Sequence, residues 1–94
     1  MANKQLEIHP AALAEFKSAV LWYMERNQIA PTRFVAEVDR AIDLLLESPA
    51  RWPAAELGTR RMILRRFPYA IMYRDGQNAI QILAVAHGHR QPGY

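Results

Sequence analysis

The sequence contains no cysteine, which excludes a disulfide scaffold, a thiolate zinc site and a cysteine nucleophile. No apolar run approaches the length of about 18 residues that a membrane-spanning helix needs. The amino terminus turns polar where a signal peptide would turn apolar, so we expect a cytoplasmic protein with no membrane partner. The length of 94 residues and the hydrophobic content of 51% then predict one globular domain over residues 1–94.

Several catalytic motifs are also missing. There is no glycine-rich phosphate loop and no Gly-x-Ser-x-Gly motif, so the sequence supports neither nucleotide hydrolysis nor serine-hydrolase chemistry. We also expect no bound cofactor. His87 and His89 are two candidate metal ligands, but neither a carboxylate nor a cysteine accompanies them, and we predict no metal site. A single His87 that acts as a general base is a better hypothesis than a metal site, because histidine titrates near neutral pH. In the alternative interpretation, which is the commoner case, His87 is only a hydrogen-bonded strand residue.

Charge is unevenly divided along the chain. Residues 1–50 hold five Lys/Arg and seven Asp/Glu, whereas residues 51–94 hold seven Arg, no Lys and two acids. Arginine presents a planar fork that suits carboxylates, phosphates and aromatic faces. The basic half therefore indicates an anionic partner, which is either a nucleic acid or an acidic protein surface.

Two helical segments are predicted after a short strand. Residues 5–9 alternate polar and apolar side chains, as a half-buried strand does. A helical period runs from Pro10 to Asn27, which we expect to end the helix in the left-handed conformation. A second helix is predicted from Ala30 to Ser48, where the next residue is a proline. The short connection implies an antiparallel helical hairpin.

Three strand-like runs follow, at residues 60–67, 69–74 and 79–87. Their short connections, including the Asp75-Gly76 turn, predict an antiparallel meander. The expected fold class is α+β, with a short N-terminal strand, an antiparallel helical hairpin and a three-stranded antiparallel sheet. The last strand is mostly apolar on both faces, so we expect it to be central. Strict alternation assigns Ile80, Ile82, Ala84 and Ala86 to one face and Gln81, Leu83, Val85 and His87 to the other.

Arginines are concentrated in the first of these strands. If Met62 and Leu64 face the helices, Arg61 and Arg65 point to the open face of the sheet. In the alternative interpretation, some arginines only pair with carboxylates of the helices. The predicted target-binding residues are Arg61, Arg65, Arg74, Arg90 and Tyr94, with His87 beside them.

The two tryptophans are expected to differ in exposure. Trp22 lies on a helix beside an aromatic neighbour, and such a residue usually packs in the interior. Trp52 stands beside a proline in the loop after the second helix. We therefore predict that Trp52 is the more exposed of the two.

Three segments of the chain carry a family resemblance. Residues 66–74, 80–87 and 90–94 read RFPYAIMYR, IQILAVAH and RQPGY, and this pattern resembles the RelE/ParE toxin superfamily. The resemblance implies the toxin half of a type II toxin–antitoxin, or plasmid stabilisation, pair. It also implies an acidic, partly disordered antitoxin that folds on the toxin to form a hetero-oligomer.

The superfamily contains two mechanisms. The RelE branch is similar to a ribosome-dependent endoribonuclease that cuts mRNA with several cations and a C-terminal tyrosine. An ungapped match places those cations on Arg61, Ile63, Ala70 and Gly88, and the tyrosine on Tyr94. Three of the four cations are therefore missing, and aliphatic side chains cannot neutralise the charge that develops on phosphate during cleavage.

The ParE branch is similar to a non-enzymatic poison of DNA gyrase, and its pattern matches better. We therefore expect a toxin that inhibits growth by binding gyrase and is not an enzyme. The alternative is a RelE-like mRNA endoribonuclease that acts on the ribosome through Arg61, Arg65, His87 and Tyr94. A third possibility is a member that retains the fold and antitoxin binding but is not toxic.

Overall fold

The computed structural model describes residues 4–87. It has two helices and four strands, and neither helix in this part of the chain is long and apolar enough to cross a membrane. This architecture confirms the predicted α+β class. The elements are β1 (Gln5–Ile8), α1 (Pro10–Arg26), α2 (Ala30–Glu47), β2 (Thr59–Ile63), β3 (Tyr69–Asp75) and β4 (Ala79–His87), with a short 3₁₀ turn at Glu56–Gly58 before β2.

The strands form one sheet in the order β1-β4-β3-β2. The pairs β2–β3 and β3–β4 are antiparallel, which confirms the predicted meander. The N-terminal strand adds a fourth strand, because β1 pairs in parallel with β4 and places Gln5 opposite Ala79. The sheet is therefore mixed, and β4 is central as expected from its apolar sequence.

Side chains at the helix ends satisfy backbone groups that a helix leaves free. His9 precedes α1, and its Nδ1 accepts a hydrogen bond of 3.0 Å from the Ala11 amide. The prediction of a left-handed Asn27 is wrong, because its φ of −160° is extended backbone. Asn27 instead serves the next helix, since its Oδ1 accepts from the amides of Ile29 and Ala30 at 2.7 and 3.0 Å.

The core lies between the two helices and one face of the sheet. Phe34 of α2 is fully buried, and its ring centre lies 5.2 Å from that of Phe67 and 5.3 Å from that of Tyr69. Tyr23 of α1 adds a third ring at 5.4 Å. Such tilted and edge-on ring pairs add to the burial energy. Among residues 4–87, the other large side chains that are fully buried are Tyr73, Leu45, Ile71, Ile80 and Ile82.

β4 carries one extra residue, which changes the face of every side chain after it. Tyr73 pairs with Ile82, but Met72 pairs with Ala84, so Leu83 has no partner on β3. The predicted strict alternation is therefore wrong beyond Leu83. Val85 and His87 share the helix-facing side with Ile80 and Ile82, whereas Ala84 and Ala86 lie on the opposite side.

β2 is shorter than the predicted strand of residues 60–67 and ends at Ile63. A carboxylate from α2 ends it, because Glu37 Oε2 accepts hydrogen bonds from the amides of Arg65 and Arg66 at 2.7 and 3.1 Å. These amides are therefore unavailable for strand pairing, and residues 64–68 form a turn.

The prediction for the tryptophans is reversed. Trp22 is 49% exposed, and the Arg26 guanidinium lies 3.9 Å from its ring centre. Trp52 is half-buried and packs against the core. The loop after α2 folds back on the edge of β2, where an Arg60 Nη1 donates to the Trp52 carbonyl at 2.7 Å. This contact between the loop and the edge of β2 buries part of Trp52 although the residue lies next to a proline in a loop.

Candidate binding surfaces

The sheet face opposite the helices carries two of the predicted arginines. Cross-strand pairing places Arg61 opposite Met72, Thr59 opposite Arg74 and Ile63 opposite Ala70. Because paired residues share a face, these side chains belong to one surface. We call this surface the open face and define it by Arg61, Ile63, Ala70, Met72, Arg74, Ala84 and Ala86.

Arg61 and Arg74 are diagonal neighbours on adjacent strands, a relation that separates side-chain bases by about 7–8 Å. Both side chains are exposed. Arg74 is oriented by a hydrogen bond of 3.2 Å from its Nη2 to the Leu57 carbonyl. The open face therefore has a basic end at which two guanidinium groups are within reach of one anionic surface.

The rest of the open face is mostly apolar. Ile63 is 56% exposed, whereas its partner Ala70 is only 1% exposed. On the same face, Gln81 pairs with Arg74 and donates a hydrogen bond of 3.2 Å to Glu7 of the edge strand β1. Within residues 4–87, Arg61 and Arg74 are the cations on this face, and Glu7 lies two strands away from Arg74 in the same row.

Arg65 does not lie beside Arg61. It follows the end of β2, where it helps to line a groove of about 500 Å³ between α2 and residues 62–67. Arg33, Arg40 and Arg66 line the same groove, with Glu37 between them. We call this region the basic groove.

His87 faces the helices and not the open face. It is paired with Tyr69, and the two ring centres are 5.2 Å apart. Its Nδ1 is buried and has no hydrogen-bond partner among the described residues. The nearby Glu15 carboxylate accepts from the Val85 amide at 2.8 Å. His87 is thus separated from Arg61 by the thickness of the sheet.

The structure brings together two of the six predicted residues, Arg61 and Arg74. Arg90 and Tyr94 lie outside the described residues. Sequence reasoning missed Leu57, which is 90% exposed beside Arg74 and has a positive φ of 59°. An apolar side chain in a polar loop next to Gly58 was the available signal. Among residues 4–87, no three His, Asp or Glu side chains converge as a metal site would require.

The fold that carries these surfaces is that of the RelE and ParE toxins. The sequence model of the family described as "ParE toxin of type II toxin-antitoxin system, parDE" matches residues 6–92. The chain therefore belongs to the ParE toxin family, whose members are toxins of type II toxin–antitoxin systems. No curated protein sequence matches the chain.

Solved structures of both branches resemble the chain. The chromosomal ParDE system from P. aeruginosa aligns with a TM-score of 0.73 and 20% identity, over 89% of this chain and 95% of that one. The RelBE2 toxin–antitoxin complex from Mycobacterium tuberculosis gives 0.61 and 23%, over 92% and 99%. The isolated E. coli RelE toxin gives 0.64 and 16%, over 97% and 89%. At these sequence identities the structural likeness establishes the fold alone.

Proposed function

We propose that this toxin inhibits growth by binding DNA gyrase and does not cleave nucleic acid. The observation that carries the proposal is the cluster of Arg61, Ile63 and Ala70 on the open face. These are three of the positions at which the RelE resemblance implies cations, and only one of them is basic. RNA cleavage on this surface would lack the charges that stabilise its transition state.

Binding to a target requires fewer positive charges on the open face than RNA cleavage does. Arg61 and Arg74 can each form a bidentate pair with a carboxylate or a phosphate of the target. Leu57 supplies an apolar contact beside Arg74 at 90% exposure, and an apolar group next to arginine is typical of interface hot spots. Arg65, Arg90 and Tyr94 complete the proposed target-binding set.

We further propose that a cognate acidic antitoxin neutralises the toxin in a cytoplasmic hetero-oligomer, as part of a plasmid stabilisation system. The excess of arginine over acids in residues 51–94 supports an acidic partner. The names of the ParDE and RelBE2 structures, which describe toxin–antitoxin assemblies, support the same class of partner.

A supercoiling assay with purified gyrase tests the target. We expect the toxin to inhibit supercoiling at micromolar concentration. The double variant Arg61→Ala/Arg74→Ala should weaken inhibition by at least about tenfold, because each lost interfacial charge contact costs roughly 1 kcal/mol or more. Lys17→Ala/Arg26→Ala is the matched control, since it removes two positive charges from exposed positions of α1 and should leave inhibition unchanged.

Three outcomes would contradict the proposal. Absence of inhibition by the wild-type toxin would exclude gyrase as the target. Codon-positioned mRNA cuts that disappear in Arg65→Ala would favour the RelE-like endoribonuclease. Normal growth on expression without an antitoxin would indicate a member that has lost toxicity.

A further inference from the structure

An apolar patch lies on the outer side of the first helix. Among residues 4–87, five of the nine large apolar side chains that are exposed belong to α1 or to the connection after it. Their exposed fractions lie between 41% and 59%, and they are Leu13, Leu21, Trp22, Met24 and Ile29. Exposed apolar side chains that cluster in this way favour contact with another molecule, because the contact removes them from water.

Leu21 points directly away from the fold. Ala12 and Ala19 of the same helix are buried in the core, with 0% and 3% exposure. At about 100° per residue, Leu21 stands about 180° from Ala12 and about 160° from Ala19 around the helix axis. The outermost position of a surface helix is ordinarily polar. The packing of a single chain therefore gives no reason for a leucine here.

Two opposite charges flank Leu21 at equal distances. Lys17 lies four residues before it and Glu25 four residues after it, so both share its side of α1. Lys17 forms no ion pair within residues 4–87. The Glu25 side chain is 75% exposed and makes only a long contact of 3.4 Å with the adjacent Arg26. Both charges are therefore accessible to a partner.

This arrangement is complementary to itself. When two copies of α1 pack antiparallel about a two-fold axis at Leu21, each Leu21 meets Leu21 of the second copy. Each Lys17 then lies opposite Glu25 of the second copy, which gives two ion pairs, one on each side of the apolar centre. A partner of one charge sign would be attracted on one side of Leu21 and repelled on the other.

These features identify a second copy of the chain as the occupant. We infer that the outer side of α1 is the contact surface of a toxin homodimer, centred on Leu21. The contact involves one helix of each copy and is smaller than a standard interface, so we expect a dissociation constant in the micromolar range. The helices and the open face lie on opposite sides of the sheet, so each copy keeps a complete and accessible open face.

Sedimentation equilibrium of the full chain tests the dimer. Leu21→Glu should raise the dissociation constant by at least about tenfold, because it brings two carboxylates together at the apolar centre. Ile63→Glu is the matched control, since Ile63 is 56% exposed, close to the 58% of Leu21, but lies on the open face. This control should dimerise as the wild type does. Circular dichroism verifies that both variants are folded.

A charge exchange tests the antiparallel pairing. Lys17→Glu and Glu25→Lys should each weaken the dimer by at least about threefold, because each places like charges opposite one another. The double variant Lys17→Glu/Glu25→Lys recreates both ion pairs and should restore the wild-type dissociation constant. An effect of net charge alone, or of damage to the fold, would not be reversed in this way.

Cross-linking tests the position of the two-fold axis. The chain has no cysteine, so Leu21→Cys introduces a single thiol. Helices that pack about 8–10 Å apart bring facing side chains within disulfide distance. Oxidised glutathione should therefore convert Leu21→Cys into a covalent dimer, whereas Ile63→Cys should remain monomeric on a non-reducing gel.

Three results would overturn the inference. The first is a wild-type chain that stays monomeric up to about 100 μM. The second is a charge exchange that fails to restore the dimer, and the third is equal dissociation by Leu21→Glu and Ile63→Glu. If the chain is monomeric and Leu21→Glu abolishes binding of the cognate antitoxin, the patch belongs to the antitoxin instead.

The same variant separates this inference from the proposed function. Leu21→Glu should still inhibit gyrase, because each copy carries its own open face and the proposed gyrase contacts do not include α1. If gyrase is not inhibited by any form of the toxin, the sedimentation and cross-linking results stand on their own.

Discussion

The open face and the basic groove both present arginines, but the two regions hold them in different ways. Arg61 extends from a paired strand, and the hairpin ladder sets its distance from Arg74. In the basic groove, Arg65 is held near α2 because the Glu37 carboxylate accepts a hydrogen bond from its backbone amide. The comparison indicates that β pairing fixes one surface, whereas a single long-range carboxylate shapes the other.

The largest effect is expected from a substitution in the hydrophobic core, which supports both regions. Phe34→Ala deletes a fully buried ring at the centre of the aromatic cluster, and it should lower the free energy of unfolding by about 3–5 kcal/mol. Urea denaturation followed by circular dichroism measures this. Ile29→Ala is the control, because this side chain is 59% exposed and its loss should cost less than about 0.5 kcal/mol. Equal losses would contradict the assigned core.

Glu37→Ala should damage the groove and spare the open face. The amides of Arg65 and Arg66 lose their acceptor, and we expect a loss of about 1–2 kcal/mol in unfolding free energy. Glu37→Gln retains an acceptor oxygen and should cost less. Hydrogen exchange should accelerate at these two amides and remain unchanged in β3. Acceleration across the sheet would show that the two regions are not independent.

Tyr73 belongs to β3, and its side chain is fully buried on the helix-facing side of the sheet. Its titration therefore tests the core that supports both surfaces. Burial raises its pKa above the ordinary value of 10.0, Arg60 lowers it and Asp75 raises it. Burial, and then the charge of Tyr69, raises the pKa of Tyr23. The folded chain therefore holds these phenol protons more tightly than the unfolded chain does. Stability should be complete below pH 10 and fall as the pH rises above it.

Tyr73→Phe should reduce that decline, as unfolding curves between about pH 8 and 11 would show. The same variant also loses the hydrogen bond of 2.6 Å to the Pro49 carbonyl, so at neutral pH it should be less stable by about 1 kcal/mol. A decline above pH 10 that is identical in the wild type and the variant would contradict the assignment.

A favourable substitution is expected at the edge of the open face. Leu57 has a φ of 59°, which costs a residue with a side chain more than it costs glycine. Leu57→Gly should therefore raise the unfolding free energy by up to about 1 kcal/mol, while gyrase inhibition weakens through the lost apolar contact. A stability loss would indicate that the side chain packs on the fold.

The smallest effect is expected in the groove. Arg40→Ala removes an exposed cation that has no ion pair within residues 4–87, so stability should change by less than about 0.5 kcal/mol. A large destabilisation would show that Arg40 supports the fold.

The features that the sequence predicted best depend on local patterns. The prolines at the helix starts and the Asp75-Gly76 turn defined both helices and the meander. The features it missed depend on contacts between distant residues. The end of β2 at Ile63 requires Glu37, which lies more than twenty residues earlier in the chain.

The predicted site was limited by the same difficulty. Alternation correctly placed Arg61 and Met62 on opposite faces of the sheet, because no irregularity interrupts β2. It placed His87 on the wrong side, because an extra residue in β4 is decided by pairing with β3 and leaves no pattern in the sequence. Trp52 was misjudged because its burial depends on a loop folding onto the sheet edge.

The extra residue at Leu83 also has an evolutionary consequence. An in-frame deletion of its single codon would restore strict alternation and leave Ile82, Ala84 and Val85 paired with Tyr73, Met72 and Ile71 on their present faces. Divergent lineages should therefore tolerate the loss of position 83 better than the loss of a neighbouring residue of β4, which would turn the following side chains to the wrong face.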